Sequence, residues 1–283
     1  MESTNKAFCQ YASEKFDDSG IEGLKLYLPT DGGYINFNIV HSVMESSKCD
    51  IWRLSAVYYC DENFERIMPL TRSGAEWEMA LKIKGRPDFI GGYAHGDEIC
   101  EKFEFQVDGK PQSFLDLRDL LAFDTLTAEV WSRGYDPNDS VSEALRHYKK
   151  ITVEKWGVSV EQRVEWLQSY ELENSYMAMM PPFKSVTDHY YTTVEPDKIP
   201  INMAETVVKS GEANGLFLCG ESGFTFGMTV EKYLTDKEGR NTFIISDNGG
   251  VPYNKMYFVL CHGGKVEKSD VFETRTVYTV KRN

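Results

Sequence analysis

The sequence predicts an all-β protein: a large antiparallel two-sheet sandwich with one or two short helices, a single domain over residues 1–283. Three observations carry this expectation. Apolar residues alternate with polar ones along most of the chain, which is the period of a strand with one buried face. Turn residues rich in Gly, Asn and Asp punctuate those runs. Aromatic residues make up 13% of the chain, with 16 Tyr, 16 Phe and 5 Trp, and flat rings pack well on a pleated surface.

The elements follow in order. Ile35, Phe37 and Ile39 alternate with Asn36 and Asn38. Trp52, Leu54, Ala56 and Tyr58 share one face of the next run. Met79, Leu81 and Ile83 alternate with Ala80, Lys82 and Lys84. Phe103, Phe105 and Val107 follow, closed by the turn signal Asp108-Gly109. Helical spacing of Leu117, Leu120 and Leu121, with Ser113 as a cap, predicts a short helix over 113–123, and a second is expected around 202–210. Val158, Val160, Gln162, Val164 and Trp166 mark a long strand, as do Phe224, Phe226, Met228 and Val230. Short apolar strands at 243–245 and 257–260 precede a final alternating run over 271–280. Breaks are expected at 31–33, 237–239, 247–250 and 262–264. The polar stretch 135–142 is the clearest interruption, but the strand pattern continues on both sides of it, so one two-sheet core is expected.

Composition narrows the function classes. Hydrophobic residues at 41% fill a sizeable core, and charged residues at 27% exclude a disordered chain. A formal net charge of -13 repels phosphate backbones, so no nucleic-acid partner is expected. It also argues against a polyanionic ligand unless a local basic cleft overrides the field. Arg53, Arg66, Arg72, Lys82, Lys84 and Arg86 make one basic stretch, which a solvated strand face explains equally well. Six dispersed cysteines, without a CxxC pair, read as buried or free thiols. No run of about 20 apolar residues exists, so no membrane span is expected. The first ten residues are polar, no leader is read, and a cytoplasmic location is the default expectation. GxxxxGK[ST], HExxH and Gly-x-Ser-x-Gly are all missing, which removes the easily recognised nucleotide enzymes and hydrolases. The aromatic content suits sugar binding, because rings stack on the apolar faces of pyranoses.

The most informative segment is Gly91-Gly92-Tyr93-Ala94-His95-Gly96-Asp97-Glu98. Its glycines allow close backbone approach to a ligand. In an extended chain His95 and Asp97 share a face, with Glu98 on the other. A histidine beside a carboxylate is held in one tautomer and acts as acid or base. No cofactor is called for, although a divalent metal at His95 and Asp97 is left open. Tyr93, Asp97, Glu98 and His147 are further binding candidates. Tyr176, ahead of a Met-rich run, is a candidate proton donor or acceptor, with Lys184 the nearest later cation. Arg72 and Trp77 flank a small loop, where the guanidinium suits a sugar carboxylate and the indole a sugar face.

Three features together resemble the galactose-mutarotase-like supersandwich proteins, which include polysaccharide lyases. They are the segment 91–98 after an early hairpin region, the long strand from Val158 to Trp166, and the ending. That ending reads Asn254-Lys255-Met256-Tyr257-Phe258, Gly263-Gly264-Lys265-Val266 and the run 274–280. The resemblance implies a glycan bound on a concave sheet face. For a lyase it implies proton abstraction beside a uronate carboxylate and β-elimination, with His95 as base or neutraliser, Tyr176 as acid or base and Arg72 as uronate clamp. Two alternatives stand beside it: a non-catalytic glycan-binding or structural sandwich, and a sugar epimerase or mutarotase in which Glu221 partners His95. The chain lacks the helical toroid domain that many such lyases carry.

Overall fold

The computed structural model describes residues 6–16, 20–73, 77, 79–201, 207–234, 242–246 and 250–282. The strands are β1 (Ala7–Ala12), β2 (Glu22–Thr30), β3 (Gly33–Met44), β4 (Cys49–Leu54), β5 (Tyr58–Cys60), β6 (Arg66–Pro69), β7 (Glu98–Val107), β8 (Lys110–Pro111), β9 (Leu121–Phe123), β10 (Thr125–Tyr135) and β11 (Glu143–Glu154). They continue as β12 (Gly157–Trp166), β13 (Tyr170–Met180), β14 (His189–Thr192), β15 (Ile199–Pro200), β16 (Val207–Glu212), β17 (Gly215–Cys219), β18 (Phe224–Leu234), β19 (Thr242–Ser246), β20 (Lys255–Val266) and β21 (Val271–Arg282).

The all-β antiparallel sandwich is borne out. The long ladder path runs β9-β1-β2-β3-β4-β7-β10-β11-β12-β21-β18-β17-β14-β15. The second sheet has the order β13-β20-β19-β16. Among the described residues only β4 and β7 pair in parallel. Both sheets feed one hydrophobic core, in which Leu24, Phe37, Val160 and Phe226 from the long path meet Met177, Phe243 and Phe258 from the short sheet.

Several strands follow the expected alternation. In β12 the inward Val158, Val160, Gln162 and Val164 lie opposite Tyr278, Thr276, Thr274 and Phe272 of β21, and Trp166 is buried at the strand's end. The two-residue turn at 31–32 closes β2 on β3, and Asp108 and Gly109, both at positive φ, close β7 on β8. In β3 the polar partners are not a solvent face: Asn36 and Asn38 are buried and their Nδ2 groups donate to backbone carbonyls of Leu26, Phe37 and Ala56. A strand covered on both faces keeps such amides only when they are hydrogen-bonded.

Five expectations are corrected. The helix over 113–123 is a single 3-10 turn, Phe114–Leu117, followed by β9, because Leu117 and Phe123 are drawn into the sandwich core. Residues 207–210 of the second expected helix are in β16, and 202–206 lie outside the described residues. The run 52–58 splits into β4 and β5. Gly263 and Gly264 do not break the chain but continue β20 opposite Leu172. The expected turns at 237–239 and 247–249 lie outside the described residues. The run 79–83 is no regular strand. It lies along β13 through the bridges Ala80–Tyr176 and Ile83–Leu172, and folds back through Leu81–Ile90. All six cysteines are free thiols. No helix among the described residues is long and apolar enough to cross a membrane.

Candidate functional site

The segment 85–97 is built by its glycines. Gly85, Gly91, Gly92 and Gly96 all take positive φ, and a turn over 93–95 returns the chain so that Gly91 N donates to Gly96 O at 3.0 Å. A Cβ on Gly91 would stand 2.6 Å from Met79 O, and one on Gly96 would overlap Ser47 O. The close approach expected here is therefore to the protein's own backbone, not to a ligand. Because the chain is turned rather than extended, and Asp97 itself has φ 51°, the expected common face of His95 and Asp97 does not exist.

The three polar residues go separate ways. His95 Nδ1 meets Asp88 Oδ1 at 2.6 Å, so its carboxylate partner is Asp88. Asp97 is buried, and burial pushes its carboxyl up. Glu98 is buried and accepts from His147 Nδ1 at 2.9 Å and from Ser132 Oγ. Burial would raise the Glu98 carboxyl, but the charges of His147 and Lys149 and the two hydrogen bonds outweigh it and hold it at about 2. The other nitrogen of His147, Nε2, lies 3.2 Å from Gln162 Oε1. Glu98 and His147 are thus an interior hydrogen-bonded pair. Among the described residues no three His, Cys, Asp or Glu side chains come together as a metal-binding group.

Next to this segment lies a hollow of about 530 Å³ on the seam between the run 82–89, β13 and β20. Phe89 and Tyr176 line it, with ring centroids 6.2 Å apart, and Lys82, Glu173, Asn174 and His262 stand round them. Two pairings build it: Tyr176 bonds to the backbone of Ala80, and Asn174 lies opposite His262 across the β13–β20 ladder. Register shifts at 175/176 and 176/178 bulge β13 around Tyr176, which stays in the strand opposite Val259. Tyr176 also packs on Tyr257, ring centroids 4.6 Å apart, and burial pushes its hydroxyl up. His95 is the next ring beyond Phe89, at 4.7 Å, and is not part of the lining. Lys82 Nζ lies 5.2 Å from the Phe89 centroid and donates to Arg86 O, and Lys84 pairs with Glu171 at 2.6 Å.

Of the expected residues, His95 and Tyr176 are therefore brought into one neighbourhood, through Phe89. The others are not. Arg72 N donates to Pro181 O, five residues along from Tyr176, or ~16 Å in an extended chain. Its guanidinium lies over Tyr253, and Lys184 is at that same end, bonded to Pro252. Trp77 is fully buried against Phe37 and Tyr278, so it offers no ring to a ligand. Tyr93 stacks near the buried Arg53, which removes that arginine from the solvated basic stretch. Glu221 sits in the β17–β18 turn, whose Gly220 packs on the backbone of Val186. Lys82, Phe89, Asn174 and His262 went unrecognised in the sequence. Each is ordinary in its own segment and acquires meaning only from the cross-strand pairing.

These features define a class by fold: an antiparallel two-sheet β-sandwich shared with domains of known sugar-processing enzymes. In particular, the galactosidase domain of the α-galactosidase-sucrose kinase AgaSK aligns with a TM-score of 0.52 at 9% identity, over 92% of this chain and 40% of that one. The GH36 α-galactosidase AgaB from Geobacillus stearothermophilus aligns with a TM-score of 0.51 at 10% identity, again over 92% and 40%. This chain thus spans about 40% of the length of these galactosidases. A putative aldose 1-epimerase from Escherichia coli K12 is matched over 91% of this chain and 98% of that one, with a TM-score of 0.48 and 10% identity. At such identities the likeness concerns fold alone. No known protein family and no curated protein matches the sequence.

Proposed function

We propose that the protein binds a carbohydrate in the hollow between Phe89 and Tyr176. The observation that carries this reading is the pair of aromatic rings, 6.2 Å apart, in one 530 Å³ hollow ringed by Asn174, Glu173, His262 and Lys82. Rings supply flat apolar area for the C–H face of a pyranose, and the amide, carboxylate, imidazole and ammonium groups match its hydroxyls. The description of two of the aligned structures as α-galactosidase proteins agrees with a sugar ligand. The charges favour a neutral sugar over a uronate. Lys84 is paired with Glu171, Lys82 is offset by Glu173, and Arg72 stands far from the hollow. Titration calorimetry against neutral and uronate oligosaccharides tests the reading. We expect binding of a neutral glycan that weakens roughly tenfold or more in Phe89→Ala and in Tyr176→Ala, the order of a lost ring contact. Unchanged binding in both variants would sink it.

A second reading, catalysis at the same place, is favoured by the Asp88–His95 pair. When the neutral imidazole donates Nδ1–H to Asp88, the lone pair is on Nε2, as a general base requires. Tyr176, its hydroxyl held protonated by burial, is suited to give a proton rather than take one. A base and an acid on either side of Phe89 serve a lyase or an epimerase. A lyase releases product absorbing in the ultraviolet from a uronate polymer, whereas an epimerase changes optical rotation without cleavage. His95→Ala is expected to abolish either activity with thermal unfolding nearly unchanged. Full turnover in that variant would remove His95 from the reaction.

A further inference from the structure

A second hollow lies on the outer face of the long sheet, away from Phe89 and Tyr176. It measures about 460 Å³ and is lined by Trp131, Arg146, Tyr148, Arg163, Glu101 and Glu165. The ladder registers fix its floor. Trp131 of β10 lies directly opposite Tyr148 of β11, with ring centroids 5.4 Å apart, and Tyr148 lies opposite Arg163 of β12. In the neighbouring row Arg133, Arg146 and Glu165 stand side by side on the same three strands. Two arginines directly opposite each other on adjacent strands repel.

The ion pairs relieve only one of them. Arg133 is held by both Glu101 and Glu143. Arg163 divides itself between Glu273 at 3.6 Å and Glu165 at 3.9 Å. Arg146 is exposed and has no ion pair among the described residues, so once the pairs are made the hollow retains one guanidinium. Lys102 lies over the Trp131 ring at 4.7 Å from the β7 side, pairs with Glu104, and does not line the hollow. Tyr148 donates to Glu129, which fixes its ring.

From this geometry we infer that the outer hollow is a binding site for an anionic saccharide, its ring lying on Trp131 and Tyr148 and its carboxylate or sulfate meeting Arg146. A guanidinium presents two parallel donors to either anion, and the neighbouring aromatic pair supplies the apolar platform that a bare anion does not use. The cations of the Phe89–Tyr176 hollow stand beside Glu171 and Glu173, whereas here Arg146 makes no ion pair among the described residues and keeps its donors for a ligand.

Calorimetric titration of the full chain with a galacturonic acid trisaccharide, a sulfated disaccharide and a neutral galactose trisaccharide tests the inference. We expect at least one acidic probe to bind, with Arg146→Gln lowering its affinity roughly tenfold, the weight of a charge-assisted contact. Trp131→Ala is expected to weaken it further, and the preference of the two acidic probes identifies the anionic group. Phe89→Ala is expected to leave this binding intact, so loss of the first site and loss of the second are read separately. Arg146→Gln keeps the exposed stem and the fold, which its thermal unfolding checks. If neither acidic probe binds, if Arg146→Gln binds the acidic probe as the parent does, or if Phe89→Ala removes that binding, the inference is overturned.

Discussion

Charged side chains that never meet water impose the severest local demands in this protein. Glu98 and Lys149 are 2% exposed and His147 is 5% exposed, and Lys149 Nζ donates to Trp52 O at 2.9 Å. Such groups persist in an interior only with partners, and removing one partner strands the rest. We therefore expect His147→Ala to lower stability by about 3–5 kcal/mol in denaturant titration. The acid limb has a definite sign. The Glu98 carboxyl is depressed from 4.5 to about 2, so its contribution is complete above the unfolded value and is lost as pH falls from about 4.5 towards 2. Its size is on the order of 3 kcal/mol. Melting temperature measured across that window should drop more steeply in the parent than in Glu98→Gln, and parallel curves would exclude Glu98 as a source of acid lability.

At the scale of elements, the run 79–97 is held by what it lies against rather than by its own ladder. Gly96 packs on Ser47 O with φ 82°, and Asp97 N donates to that same oxygen at 2.8 Å. Any side chain at 96 is both strained and in collision. Gly96→Ala is expected to cost at least ~1–3 kcal/mol and to shift the Phe89–His95 contact, read by denaturant titration and by the His95 ring proton resonances. Wild-type stability with an unmoved His95 would show that the turn tolerates a Cβ. The bulges of β13 act at the same scale. They interrupt the regular pairing with β20 at Tyr176, so its ring packs on Tyr257 and borders the hollow while Met177 and Ala178 remain in the core.

Across the whole molecule the two sheets share one core, in which neither has a complete set of apolar partners alone. We expect a single cooperative unfolding transition, coincident by near- and far-ultraviolet circular dichroism. Two separated transitions would divide the chain into independent units. The net charge of -13 acts over the same scale, lowering the local concentration of any polyanion, so the anionic saccharide expected at Arg146 is a short one.

Alternation of apolar and polar residues was enough to establish an antiparallel sandwich, because a strand with one buried face must repeat every two residues and β12 and β21 do so along their length. Helical spacing misread 113–123, where three leucines carried no information about the core that claims Leu117 and Phe123. Residue type and context marked His95 and Tyr176, but the extended-chain reading gave His95 the wrong carboxylate, since a positive φ at Asp97 is invisible to it. The hollow itself belongs to tertiary structure. Phe89, Tyr176 and His262 come from three distant segments, and only the register of β13 against β20 and against the run at 80–83 sets them round one space. Local sequence dictates which face a side chain takes, whereas the identity of its neighbour across a ladder depends on how the whole chain closes.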